Sequence, residues 1–301
     1  ALSFFDLARG WGGVQLQLKP TTDLTVLKGI KRSTLDQTYD QVLADLVKAE
    51  DLLPEDATTR NRAQKSTARA LRARLHLYRK QWADAEKYAT LVIDNTKYSL
   101  VKPYKSFFTA PFQSAESVFE LAYSVNDRNS YWNLWYPSSA GGQFTLKPSD
   151  VLVAKLNNPA IGGTRNALIA GSGATVYGVL YNTTSTSTDP SYLIRIAELY
   201  LIRAEARAQQ NHLAAAAGDL NAIRKRADVP ETAATTQADL IKAIEDENGI
   251  EFAFEAHRWF DLVRTERAGV VLGLTNKNYW LFPIPYSDVL SDPDVTQNPG
   301  Y

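Results

Sequence analysis

Two groups of residues have the types and spacings that could do chemistry. The first lies in residues 245–264, EDENGIEFAFEAHRWFDLVR. Glu247, Glu251 and Glu255 follow one another four apart, and Arg258, Asp261 and Arg264 then come at intervals of three. Side chains at these spacings meet on a helix surface. The run therefore reads as a ladder of ion pairs or as a catalytic carboxylate pair. Glycoside hydrolysis needs two carboxyl groups flanking the sugar, whereas neighbours on one helix face stand side by side, and the ladder is the better reading.

The second group is residues 127–136, DRNSYWNLWY. Sugar rings present apolar C–H faces, on which flat aromatic side chains can stack. Their hydroxyls need donors and acceptors such as Asn, Asp and Arg. Apolar walls with a few placed polar groups make a ligand pocket, and loops on a rigid scaffold are where binding residues concentrate. Tyr131, Trp132, Trp135 and Tyr136 are the expected stacking residues. Arg128, Asn129 and Asn133 are the expected hydrogen-bonding ones. The competing reading is that some of these rings only plug the segment into its surroundings.

The remaining chemistry is sparse. His76, His212 and His257 are isolated, without a partner at metal-ligand spacing. Asp288, Asp292 and Asp294 lack the Gly and terminal Glu of a calcium loop. Gly141-Gly142 and Gly171-Ser172-Gly173 are turns without a phosphate-loop pattern. The absence of Cys excludes disulfides, zinc-thiolate sites and cysteine nucleophiles. No cofactor and no metal is expected. Lys plus Arg equals Asp plus Glu at 33 each, so nothing draws the whole chain to nucleic acid or an anionic membrane.

The 301 residues allow one large domain or two smaller ones. Residues 245–264 read as one long helix, apolar over most of its circumference and so packed between other elements. Residues 1–9 read as a helix stopped by Gly10, Gly12 and Gly13. Residues 21–33 are loop-like, and Ser33 or Thr34 can cap a helix ending at Pro54. Ser66 or Thr67 opens a helix to Arg79, and a second follows from Trp82 to Ile93 after a turn so short that the two must be antiparallel. Residues 71–93 thus have the grammar of a tetratricopeptide unit. The pattern recurs 131 positions on, with Arg72-Ala73 falling on Arg203-Ala204 and Ala85 on Ala216. FFDLAR (4–9) is echoed by WFDLVR (259–264).

The fold expected is mostly α: about four helix pairs of tetratricopeptide type, which stack to bury their faces. Residues 1–101 and 191–301 form the two parts of this scaffold. An irregular insertion, 102–190, lies between them, with strands at 118–123 and 176–181 and a helix at 148–156 capped by Ser149. Trp11 could line the same surface as the aromatic motif, but packing is the better reading, and Trp280 is expected to be core or partner-facing. The absence of Met and the apolar opening Ala-Leu-Ser-Phe-Phe predict that an N-terminal portion precedes this chain.

RIAELYLIRAEA (195–206), LNAIRKR (220–226) and EFAFEAHRWFDLVR (251–264), followed by LFPIP (281–285) and QNPGY (297–301), together resemble the SusD/RagB family. The likeness is close over the last third of the chain and looser in FFDLARGWGG (4–13) and the helix pair at 66–95. The chain departs from the family pattern at Asn248, where Arg is usual, at Ala256, where Gly is usual, and at Gln15, where Pro is usual. The resemblance implies a non-enzymatic protein on a tetratricopeptide-type scaffold. It would bind an oligosaccharide or polysaccharide at the extracellular face of the outer membrane and hand it to a SusC-like TonB-dependent transporter. The family's N-terminal lipid anchor would lie outside this chain. A helical glycoside hydrolase or lyase, a pure protein–protein scaffold, and a peptide ligand are the alternatives.

Overall fold

The computed structural model describes residues 1–22, 29–55 and 59–301. The loop expected over 21–33 lies partly outside the described residues. In chain order the helices and strands are α1 (Leu2–Trp11), α2 (Leu35–Leu52), α3 (Lys65–Tyr78), α4 (Trp82–Ile93), β1 (Ser117–Leu121), α5 (Tyr131–Trp135), α6 (Asp150–Asn157), β2 (Ile169–Ala170), β3 (Tyr177–Gly178), β4 (Ser191–Arg195), α7 (Ile196–Gln209), α8 (Leu213–Arg226), α9 (Gln237–Glu251), α10 (Arg258–Arg264), α11 (Ala268–Leu272) and α12 (Tyr286–Ser291). They fall into two compact units, Ala1–Asp51 with Arg258–Tyr301, and Leu52–His257.

The larger unit is built on the repeat read from sequence. α3–α4 and α7–α8 begin at positions 131 apart, and their turns share the same backbone hydrogen bonds. Lys80 and Asn211 both have positive φ, 56° and 67°. Gln81 N donates to His76 O at 2.9 Å, and His212 N to Arg207 O at 2.8 Å. The small residues sit where the helices cross: Ala73, Ala204, Ala85 and Ala216 are all fully buried. α7 is central, against α3, α4, α8 and α9. Leu201, Leu220, Ile223, Leu240 and Ile244 fill the space between α7, α8 and α9, each contributing about 1.5–3 kcal/mol by leaving water. α3 starts one residue earlier than expected because Gln64 and Thr67 form its capping box.

Segment 102–190 is held by a strand pair and an apolar cluster, among other contacts. β1 pairs antiparallel with β4, Glu120 opposite Tyr192. Tyr104, Phe107, Phe108, Leu156, Leu168 and Leu180 pack with Ile250 and Ala253 at the end of α9. α6 forms as expected, with Ser149 Oγ accepting from Leu152 N at 3.2 Å. The strand expected over 176–181 is confined to β3, paired with β2.

The long helix expected over 245–264 is two helices. α9 stops at Glu251 because Arg195 Nη2 and Tyr104 Oη both donate to its carbonyl, at 3.0 and 3.1 Å. The chain then turns through residues 252–257 with Phe254 at φ 71° and Ala256 at φ 58°. A left-handed conformation is costly for any residue with a Cβ. Ala256→Gly is therefore expected to raise stability by about 0.5–1 kcal/mol, read as a higher urea midpoint at unchanged slope.

In the smaller unit, the sequence echo between α1 and α10 is structural. Arg9 pairs with Asp6 at 2.7 Å and Arg264 with Asp261 at 2.5 Å, each within its own helix. Thr34 and Gln37 cap α2 reciprocally. α1 runs through Gly10 and ends at Gly12 and Gly13, where a Cβ on Gly13 would lie 1.8 Å from Ser33 O. Arg32 donates to Gly13 O, Trp11 O, Thr296 O and Asn298 Oδ1, which fixes the Gln-Asn-Pro-Gly-Tyr tail against α1. Trp11 packs on Phe282, and Trp280 is buried with its Nε1 donating to Leu274 O. Among the described residues no helix is long and apolar enough to cross a membrane.

Candidate functional site

The glutamates of the first motif are not a surface ladder. Glu247, Glu251 and Glu255 have side chains 2%, 0% and 2% exposed, and their partners come from distant elements. Arg195, closing β4, donates to Glu255 at 2.8 and 2.7 Å, to Glu251 at 2.9 Å, and to Glu116. Arg226 of α8 donates to both oxygens of Glu116 at 2.7 Å and to Glu251. Arg165 reaches Glu247 at 2.5 Å and Glu251 at 3.3 Å, and Arg224 reaches Glu247 at 2.8 Å. Four carboxylates thus face four guanidinium groups. Burial would raise the Glu251 carboxyl, but Arg226, Arg195 and Arg165 outweigh it and pull the group down. Glu255 has Arg195 as its cation, and burial wins, pushing it up to about 7. The same burial closes these carboxylates to a sugar, so they hold the scaffold together.

The aromatic motif is on the surface. It is one helical turn, α5, where an open loop was expected. Tyr136 N donates back to Trp132 O at 3.0 Å, and the chain returns over the turn through Gln143 N to Asn133 O and Leu146 N to Leu134 O. Gly141 and Gly142 permit that return: Gly141 has φ 83°, and a Cβ on Gly142 would lie 2.1 Å from Tyr136 O.

Each ring of α5 leans on another ring. Tyr131, 41% exposed, meets Tyr181 at 5.0 Å. Trp132 meets Tyr136 at 5.7 Å, Tyr136 meets Tyr177 at 4.8 Å, and Trp135 meets Phe254 at 4.8 Å. Most of these pairs are edge-to-face, the favoured geometry of quadrupoles. Trp132, Asn133, Trp135 and Tyr136 are half-buried, with Arg128 exposed beside them and its Nε donating to Val125 O at 2.9 Å. Burial, with Tyr177 and Asp189 nearby, pushes the Tyr136 hydroxyl up to about 12, so it stays a hydrogen-bond donor at neutral pH.

Asn129 differs from the other six expected contact residues. It is 4% exposed, its Nδ2 donates to Asp189 O at 2.9 Å, and its Oδ1 accepts from Tyr131 N at 2.7 Å. Both ends of the side chain hold backbone, so Asn129 positions α5. Asp189 is the matching post: its carboxylate accepts from Asn182 N, Thr183 N and Thr183 Oγ1, at 3.0, 3.0 and 2.6 Å. That folds the Ser/Thr-rich segment 183–188 against the turn, where Ser187 Oγ accepts from Trp132 Nε1 at 2.8 Å. Sequence reasoning missed Asp189, Ser187, Tyr177, Tyr181 and Phe254. Asp189→Ala is expected to cost about 2 kcal/mol through its lost charged hydrogen bonds, seen as a lower melting temperature. Among the described residues no group of His, Asp and Glu could hold a metal ion.

Comparison with known proteins bears on the chain as a whole. The SusD family matches residues 108–274, which is more than half of the chain. The chain belongs to the SusD family. A second SusD-like family, described as starch-binding and associating with the outer membrane, matches residues 1–77. SusD-like protein P38 of Formosa agariphila is 23% identical over the whole chain, which spans 72% of that relative. Starch-binding protein SusD of Bacteroides thetaiotaomicron is 37% identical over 36% of the chain and 21% of its own length. A crystal structure of a SusD superfamily protein from Bacteroides vulgatus superposes with a TM-score of 0.88 at 20% identity, covering all of this chain and 76% of that one. A laminarin-binding SusD-like protein does so with 0.83 at 22% identity, again covering all of this chain and 76% of the other. The helical SusD fold read from the sequence motifs is therefore the fold of this chain.

Proposed function

We propose that this SusD-family chain binds an oligosaccharide or polysaccharide without turning it over, at the face formed by α5 and segment 183–188. The observation that carries this is the rigid aromatic turn: Tyr131, Trp132, Trp135 and Tyr136 are partly solvent-facing, braced from behind by other rings, and bordered by Arg128, Asn133 and hydroxyl side chains. Braced rings lose little freedom on binding, which is how preorganisation raises affinity. The region 102–190 is the ligand-binding part, and the helical repeats are its support.

By family membership we further propose that the protein works at the extracellular face of the outer membrane, lipid-anchored through a segment outside this chain, and passes its ligand to a SusC-like TonB-dependent transporter. The burial of these carboxylates supports a non-catalytic role, since the two carboxyl groups of a glycoside hydrolase must flank the sugar.

The test is gel retardation of the purified protein by laminarin and by soluble starch, with reducing ends measured in parallel. Retardation without new reducing ends is the expected result. Release of sugar at enzyme-like rates would replace the reading with a hydrolase. Indifference to every glycan, with tight transporter or peptide binding, would replace it with a scaffold or a peptide carrier.

A further inference from the structure

The turn 252–257 carries two left-handed residues other than glycine, Phe254 and Ala256, and between them stands Glu255. Strain of this kind persists only where the surroundings over-determine it, and it gathers at functional elements. The turn is held by the paired bonds from Arg195 to Glu255, by Glu255 N donating to Phe252 O at 3.1 Å, and by the Phe252–His257 stack at 4.4 Å. What the left-handed conformation accomplishes is the placement of one ring. Phe254 lies over β3, where a Cβ on Gly178 would come within 3.0 Å of it, packs against the cluster of Tyr104, Phe107 and Leu180, and meets the ring of Trp135 at 4.8 Å. The turn therefore joins the buried charge network to the aromatic face.

We propose that Glu255, clamped by Arg195, is a positioning residue of the aromatic site: it holds Phe254 beneath Trp135 and so sets the orientation of that ring for a glycan it never touches. This rests on the binding reading given above. The charged and titratable groups around Glu255 are Arg195 and Tyr192 from β4, Glu251 from the end of α9, Glu116 before β1, and Tyr181 and Tyr104 from the insertion. Arg226 and Arg165 stand behind Glu251. Of these carboxylates Glu255 is the one that burial brings to about 7, so it gains a proton as pH falls through neutrality. Arg195, still cationic, then donates to a neutral carboxyl, and the contact loses its ion-pair attraction and weakens. The clamp loosens on acidification, and binding weakens with it. Stability moves the other way: the folded carboxyl holds its proton more tightly than the unfolded one, so its contribution to stability rises as pH falls from about 7 towards about 4.3. A merely structural group would move binding and stability together.

The experiment compares wild type, Glu255→Gln, Phe254→Leu and Trp135→Phe. Near-UV circular dichroism reports the Trp135 environment without ligand, and titration calorimetry reports laminarin and soluble starch. Glu255→Gln is expected to keep the far-UV spectrum, to lose the near-UV signal that Trp135→Phe also lacks, and to bind about 3- to 10-fold more weakly. Wild-type affinity is expected to fall between about pH 8 and about pH 6, and that of Glu255→Gln to stay level. Phe254→Leu leaves the network intact and is expected to lose the same signal and affinity; if Glu255→Gln fails to fold, a wild-type affinity that stays level from about pH 8 to about pH 6 overturns the clamp. Retention of the Trp135 signal and of wild-type affinity in the variants overturns the clamp. If Trp135→Phe itself leaves glycan binding unchanged, the binding site lies elsewhere, and the near-UV comparison still decides whether Glu255 positions the ring.

Discussion

Replacing Arg195 by Met is expected to lower stability by about 3–5 kcal/mol, the range for breaking a buried ion pair by removing one partner. Met conserves much of the apolar stem, so the loss is chiefly electrostatic. Arg195 touches Glu116, Glu251 and Glu255 and lies over the rings of Phe107 and Phe252 at 4.2 and 4.8 Å. Without it Glu255 loses its paired donors, and Glu251 O loses one of the two bonds that end α9. A surface pair such as Lys102–Asp228, with side chains 51% and 58% exposed, is expected to matter by no more than about 1 kcal/mol. Urea unfolding distinguishes the two: the midpoint should fall steeply for Arg195→Met, with little change for Lys102→Met. The network also sets an acid limit. Glu251 is held below its ordinary value, so it contributes stability above about pH 4.3 that is lost as pH falls through its folded value. An Arg195→Met protein that unfolds at the wild-type midpoint would show that the guanidinium contributes nothing net.

What was legible in the sequence follows the range of the interactions. The pairs α3–α4 and α7–α8 could be read because their signal is local: alanines at the crossing and a turn too short for any other arrangement. Thr34, Gln64 and Ser149 act within three residues of their own helices, and such caps are visible in sequence or nearly so. The glutamate run was legible as charge but not as structure. Helical spacing suggested that Glu255 would pair along its own helix. The helix instead ends before it, because Arg195 and Tyr104, far back in the chain, take the carbonyl of Glu251. No glycine marks the break: the left-handed positions are Phe254 and Ala256, and Ala256 is where the family pattern usually has Gly. The candidate site divides in the same way. Composition located α5, but Tyr177, Tyr181, Phe254 and Asp189 belong to the site only through tertiary contact, and nothing in their own neighbourhoods distinguishes them.

Trp132→Ala and Trp135→Ala are each expected to weaken glycan binding by about 1–3 kcal/mol, by analogy with bases stacked on aromatic side chains. The two should not be equivalent. Trp132 is fixed by a hydrogen bond from its Nε1 to Ser187 Oγ as well as by the edge of Tyr136, so its removal also frees segment 183–188. Trp135 is fixed by Phe254 alone among its ring contacts, so its truncation removes a stacking surface and leaves the rest of the face in place. Trp132→Phe separates the contributions: it keeps a ring to stack on and deletes the donor. An affinity near wild type for Trp132→Phe, with a large loss for Trp132→Ala, assigns the effect to stacking. A loss of similar size in both assigns it to the anchored segment. The double alanine variant should lose less than the sum if the two rings serve one sugar, because neighbouring contacts couple, and the full sum if they serve two. Titration with laminarin and soluble starch reads all four. Affinity unchanged in both single alanine variants would sink α5 as the binding face while leaving the SusD fold untouched.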